Sequence, residues 1–195
     1  MLKRLFDIFF SFIGLIVLIP LFILISIFII LDSRGGVFYL QKRVGKDNRD
    51  FSLLKFRTMR NGSDSGSLLT VGKDDPRITR VGAFLRKYKL DELPQLVNIL
   101  KGEMSIVGPR PEVRKYVDLY NDRQKKVLTV KPGLTDYASL EYINENEILS
   151  KYDDPEKAYI EVIMPEKLEL NLNYIKEKSF LTDLRIIFKT LARIV

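Results

Sequence analysis

Apolar residues run almost without a break from Ile8 to Leu31, and no charge interrupts them. A straight helix over this run, at about 1.5 Å per residue, exceeds the roughly 30 Å hydrocarbon core of a bilayer. The apolar part is too long for a secretory leader, and no small-residue cleavage site follows it. Pro20 falls near its middle and divides it into halves too short to span. Lys3 and Arg4 precede the run, and Arg34, Lys42, Arg43 and Lys46 follow it. Basic flanks at both ends draw both ends to the same, cytoplasmic side. The residues fit two forms: a single span that tolerates its proline, or a helix bent at Pro20 that enters and leaves on one face. Either form binds the chain to a membrane.

Beyond residue 33 the pattern alternates and then turns helical. Val37–Gln41 and Phe51–Met59 read as two strands of a hairpin joined by a turn over Gly45–Asp50. Residues 61–77, rich in Gly, Ser and Asp, read as a mobile connector or a lid over a ligand. Val81, Phe84, Leu85 and Tyr88 share one helical face, and a second helix is expected over Asp91–Leu100, closed by Gly102. Residues 112–128 and parts of 145–177 read as helix, with a loop at "VKPGLTDYASLEY" between them. Leu181, Leu184, Ile187, Phe188, Leu191 and Ile194 recur at helical spacing, with Arg185, Lys189 and Arg193 offset from them. Such a helix serves either as a core helix or as one lying in a membrane interface. The whole is a helix-dominated α+β chain with a small β-hairpin, in two parts: residues 1–33, the membrane anchor, and residues 34–195.

Composition narrows the chemistry. The 195 residues hold neither Cys nor His, which removes thiol nucleophiles, imidazole bases and the common zinc and iron–sulfur ligand sets. Catalysis must then use carboxylates, Lys and Arg, hydroxyls, backbone groups or a hard cation such as Mg²⁺. Lys and Arg number 32 against 25 Asp and Glu, a net charge of +7. Lys3, Arg4, Asp7 and Asp32 cancel, so the excess lies in residues 34–195 and suggests anionic partners: nucleic acid, an acidic membrane surface or phosphorylated small molecules.

Three stretches carry candidate chemistry. From Arg77 to Leu90 there are five cations (Arg77, Arg80, Arg86, Lys87 and Lys89) and no acid, and Asp91 and Glu92 follow at once. The cations favour ionised carboxylates, and carboxylates beside a basic wall suit a Mg²⁺-bound phosphate ester, one holding the metal and the other attacking phosphorus. The same pair also suits a helix N-cap, although Pro94 offers it no N–H. Pro109 and Pro111 fix the backbone on both sides of Arg110, as phosphate recognition by a guanidinium requires; an isolated turn with a solvent-facing Arg has the same sequence. In "LLKFRTM", alternation places Lys55 and Arg57 on one side of a strand, as substrate contacts or as its polar edge.

In order, "QKRVG", "KFRTM", "ITRVGAFLRKYKLDELPQLVNILKGEMSIVGPRP" and "KPGLT" closely resemble the bacterial sugar transferases, the monotopic phosphoglycosyl transferases. The resemblance runs from the hydrophobic segment almost to the C-terminus, as in the small members that consist of the catalytic core. It implies transfer of a sugar-1-phosphate from a nucleotide-diphosphate sugar, usually UDP-linked, to a membrane polyprenyl phosphate, releasing UMP and starting a glycan. It also implies a re-entrant helix broken near Pro20, amphipathic interfacial helices, and a monotopic position on the cytoplasmic face of the bacterial inner membrane. By motif, Asp91 matches the nucleophile that forms a phosphosugar–aspartyl intermediate. Glu92 matches its partner, with the pair assisting Mg²⁺, and Arg57, Arg86 and Arg110 match phosphate-contacting or structurally essential cations. Many relatives continue Pro-Gly-Leu-Thr with Gly-Trp, where this chain has Asp136-Tyr137, a change in what the resemblance suggests is a nucleotide- or sugar-facing loop.

A non-catalytic module whose basic face binds a membrane surface is the competing reading. It accounts for the anchor and the charge, but not for paired carboxylates set among cations. Nucleic-acid binding fits less well, since no Cys/His finger or single-strand-binding aromatic set accompanies the membrane segment.

Overall fold

The computed structural model describes residues 2–62 and 75–194. The candidate lid therefore lies mostly outside the described residues.

The apolar run forms one helix, α1, Leu2–Asp32, with Pro20 inside it. The break read at Pro20 takes no residue out of the helix. Its two halves share a single docking stripe, which holds the helix together across the missing N–H. Leu15 and Leu18 pack on a cluster of Phe51, Leu53, Leu96, Ile99 and Met104, while Leu21, Phe22, Ile25 and Ile29 pack with Phe56 and Leu85. Polar residues complete the stripe. Lys3 Nζ donates to the Val107 carbonyl at 2.9 Å, Arg4 to the Ile99 and Leu100 carbonyls, and Asp7 Oδ1 accepts the Ile106 N–H at 3.1 Å. At the far end Asp32 Oδ2 accepts the Val81 N–H at 2.9 Å. The opposite face leaves Phe9, Phe12, Val17, Ile23, Ile27 and Leu31 exposed.

The hairpin is β1 (Phe38–Val44) and β2 (Asp50–Phe56), antiparallel from Phe38 opposite Phe56 to Val44 opposite Asp50. A 3₁₀ turn over Lys46–Asn48 joins them, with Asp47 and Asn48 at positive φ, as short polar side chains tolerate. Helix α2, Arg80–Lys87, is capped by Thr79, whose side chain accepts the Gly82 N–H at 2.9 Å. A Cβ on Gly82 would lie 2.0 Å from the Thr58 carbonyl oxygen, so only glycine lets α2 approach the chain this closely. Helix α3, Gln95–Lys101, ends at Gly102 with φ 88°.

A second sheet was not legible in the sequence. Strand β3, Ser105–Val107, pairs in parallel with β4, Gly133–Thr135, inside the stretch expected as loop. Between them the expected helix over 112–128 shrinks to α4, Arg114–Val117, and a 3₁₀ segment over Gln124–Thr129. Short helices α5 (Tyr137–Glu141), α6 (Glu145–Leu149) and α7 (Pro155–Ala158) follow, then a π-helical turn over Tyr159–Ile163 leading into α8, Met164–Glu177. Val44, Tyr116, Val117, Leu149, Tyr159, Ile163 and Leu168 form the core under this half.

The last helix, α9, spans Phe180–Ile194. It buries Asp183 and Ile186 and leaves Leu181, Phe188 and Leu191 exposed, so the apolar face read from the sequence is turned largely outward. Lys3 pairs with Asp183, and Phe6 meets Phe180 edge to face with centroids 5.4 Å apart, so α9 lies beside the start of α1.

Candidate active site

Lys89 adopts a left-handed conformation, φ 55°, which stops α2 and turns the chain into a 3₁₀ turn over Leu90–Glu92. Leu90 packs beside Ile29, Phe56 and Leu85, and this anchors the turn. The helix expected from Asp91 starts instead at Gln95, with Pro94 at its N-cap position and no side chain capping it. Asp91 is therefore not a helix cap. Pro94 lacks the N–H that such a cap would hold.

Asp91 and Glu92 are both buried, but their partners differ sharply. Glu92 Oε2 accepts Arg110 Nη1 at 3.1 Å, and Oε1 accepts both Arg110 Nη2 and Lys55 Nζ, the latter at 3.1 Å. Among the described residues Asp91 makes no side-chain hydrogen bond or ion pair. Burial alone would raise the Glu92 carboxyl, but Arg110 and Lys55 outweigh it and hold it well below the usual carboxylate range. Burial and the adjacent Glu92 charge push the Asp91 carboxyl up, against the pull of Lys55, Arg86 and Lys89. Arg110 and Lys55 hold Glu92 ionised, as the sequence suggested; at Asp91, burial and the Glu92 charge oppose ionisation while Lys55, Arg86 and Lys89 favour it. Burial likewise lowers Lys55, whereas Glu92 raises Arg110.

Arg86 comes from the last turn of α2 and donates Nε–H to Thr58 Oγ1 at 2.9 Å, with its charge felt at Asp91. Arg57 goes elsewhere. Strand β2 ends at Phe56, and the Arg57 guanidinium donates to the Ser33 and Arg34 carbonyls at 2.8 and 2.6 Å and to Asn61 at 3.2 Å. It clamps the exit of α1 rather than joining Lys55, Arg86 and Arg110 around the carboxylates.

Sequence reasoning passed over two contributors. Thr58 steers Arg86, a long-range contact with no local signal. Asp136 stood out only as a departure from a common pattern, yet its spacing before Ser139 is that of an N-cap, and its carboxylate also meets Arg110. Tyr137 faces inward, beside Val107, Leu140, Tyr174 and Ile186.

Among the described residues no group of three or more carboxylates forms a cage for a metal. Mg²⁺ needs none, because it commonly takes one or two carboxylates with substrate phosphates and waters. The unengaged oxygens of Asp91 fit that use, while both oxygens of Glu92 are occupied by cations.

This site sits in a chain that matches the bacterial sugar transferase family along residues 1–195, and the protein belongs to that family. It is 36% identical to the exopolysaccharide production protein ExoY of Sinorhizobium fredii, over 97% of this chain and 83% of that one. It is 38% identical to a UDP-N-acetylgalactosamine-undecaprenyl-phosphate N-acetylgalactosaminephosphotransferase of Aeromonas hydrophila, over 100% of this chain and 44% of the relative. It is 35% identical to the UDP-glucose:undecaprenyl-phosphate glucose-1-phosphate transferase of Escherichia coli, over 97% of this chain and 39% of the relative. The chain thus spans less than half the length of the last two.

Proposed function

We propose that the chain is a phosphoglycosyl transferase that moves a sugar-1-phosphate from a UDP-linked sugar to a polyprenyl phosphate, by way of Asp91. The observation that carries this reading is the contrast within the dyad: Glu92 is held by Arg110 and Lys55, while its neighbour Asp91 keeps a buried, unengaged carboxylate. An Asp91 oxygen attacks the phosphorus next to the sugar. The new O–P bond forms as the bond to the nucleotide breaks, and the electron pair leaves with UMP. An oxygen of the polyprenyl phosphate then attacks the same phosphorus, breaks the Asp91 bond and restores the carboxylate. Arg86, Arg110 and Lys55 offset the repulsion between these anions around two buried carboxylates. A Mg²⁺ held by the Asp91 oxygen that does not attack, together with donor phosphates, would supply further charge compensation, while Glu92 keeps Arg110 and Lys55 in place beside it.

The packing of α1 supports a monotopic position with both helix ends on one face. Lys3 and Arg4 at its start and Asp32 at its end bond to the same folded body, so a crossing of the bilayer would carry that body with it. The exposed faces of α1 and α9 then meet lipid, and the acceptor arrives from that side.

The test is a panel of UDP-sugars assayed for UMP release with polyprenyl phosphate in liposomes. Release with one or more donors supports the reading. Liposome binding with no release from any donor would leave a membrane-surface module instead.

A further inference from the structure

We infer that Asp136 is a positioning residue for Arg110, fixing the backbone of the Pro109–Pro111 run so that the guanidinium reaches Glu92. The inference rests on the proposed role of the Glu92–Arg110 pair in catalysis.

Asp136 is fully buried, and each of its oxygens has a separate task. Oδ1 accepts the Ser139 N–H at 2.6 Å and caps α5. Oδ2 accepts the Arg110 N–H at 3.0 Å. Pro109 and Pro111 have no N–H, so this is the only backbone donor in that run, and the bond fixes the peptide from which the Arg110 side chain departs. The neighbouring bonds extend the pairing of β3 with β4: the Gly108 N–H donates to the Thr135 carbonyl at 3.1 Å, and the Gly133 N–H to the Pro109 carbonyl at 3.0 Å. The strands meet so closely that a Cβ on Gly133 would lie 2.1 Å from the Gly108 nitrogen. From the other side, Thr190 of α9 meets Thr135, hydroxyl to hydroxyl, at 2.6 Å. The Asp136 carboxylate thus joins a rigid two-strand base to the one arginine that grips Glu92 with two nitrogens. A capping role alone would use one oxygen and leave the other without its partner.

Asp136→Ser separates the two tasks. Serine is a good N-cap, so it keeps α5, but its shorter side chain with one oxygen cannot hold Arg110 as well. The expected result is a fold that keeps α5, a melting temperature lowered only by the loss of one hydrogen bond, and a kcat for UMP release lower by about 10- to 100-fold. In an Arg110→Ala background the same substitution should lower kcat no further, because both changes act through one group. The Arg110 guanidinium signal, followed by nitrogen NMR in nanodiscs, should shift and broaden in Asp136→Ser. An unchanged guanidinium signal, or equal losses of kcat with and without Arg110, would overturn the inference. If the parent protein releases UMP from no donor, the proposed function fails by itself, and the guanidinium signal alone decides the role of Asp136.

Discussion

Arg110 grips Glu92 with two guanidinium nitrogens, one on each carboxylate oxygen, while the next residue back, Asp91, keeps both oxygens unengaged among the described residues. Adjacent carboxylates of the same turn are thereby given opposite properties. Glu92 is a fixed anion that binds cations in place, and Asp91 is a carboxylate with no side-chain bond to give up before the attack proposed for it.

Substitution at the two positions should therefore separate activity from stability. Asp91→Asn removes a buried charge without breaking a bond, so UMP release is abolished while stability is kept or raised. Glu92→Gln weakens the hold on two partly buried cations and should cost about 1–3 kcal/mol in addition to severe loss of turnover. Denaturant titration beside a UMP-release assay reads both effects.

The pH dependence of stability should split in the same way. The folded Glu92 carboxyl is depressed, so its contribution is present above its unfolded pKa and is lost as pH falls through the folded one. The folded Asp91 carboxyl is raised, so its contribution is present in acid and is lost as pH rises through the folded value. The stability gained by Asp91→Asn should accordingly grow as pH rises above 3.8, the ordinary value for Asp, and level off once the folded carboxyl is ionised. The acid limb of turnover should lie above 3.8 as well, and Arg86→Gln, by removing a cation that favours ionised Asp91, should move it higher. Urea melts and kcat/KM measured across the acid range check these directions.

Arg57→Ala should behave as a lesion of the anchor. Two charge-assisted bonds to the Ser33 and Arg34 carbonyls disappear, at a cost of about 3 kcal/mol. The KM for the donor should move little in the protein that remains folded. A large rise in KM with unchanged stability would place Arg57 at the donor phosphates instead.

The absence of cysteine makes the topology directly testable. Single cysteines introduced as Leu2→Cys and Gly36→Cys flank α1, and both should react with a membrane-impermeant maleimide only when the cytoplasmic face is opened. Labelling from opposite faces would establish a single span.

Local patterns made part of this protein readable before its structure. The hairpin follows from two strand-like runs around a polar turn, although β1 runs on to Val44 and β2 stops at Phe56; α1 follows from its unbroken apolar run and α9 from its helical spacing. Asp91, Glu92, Lys55, Arg86 and Arg110 were drawn from short motifs, and the fold brings them into one electrostatic cluster. What escaped depended on distance. The β3–β4 pair consists of two very short strands 28 positions apart in register, too brief for any period to show. Arg57 shares its strand side with Lys55 in the pattern, but the strand stops one residue short of it and the end of α1 lies within its reach. The helix expected from Asp91 failed at Pro94, whose missing N–H shifted the true start to Gln95.

The central claim is the covalent role of Asp91, and intact-protein mass spectrometry tests it most directly. Protein mixed with its UDP-sugar and Mg²⁺, without lipid acceptor, should gain the mass of one phosphosugar, located on Asp91 and discharged when polyprenyl phosphate is added. No gain in mass under conditions that support full turnover, or the same gain in Asp91→Asn, would contradict it.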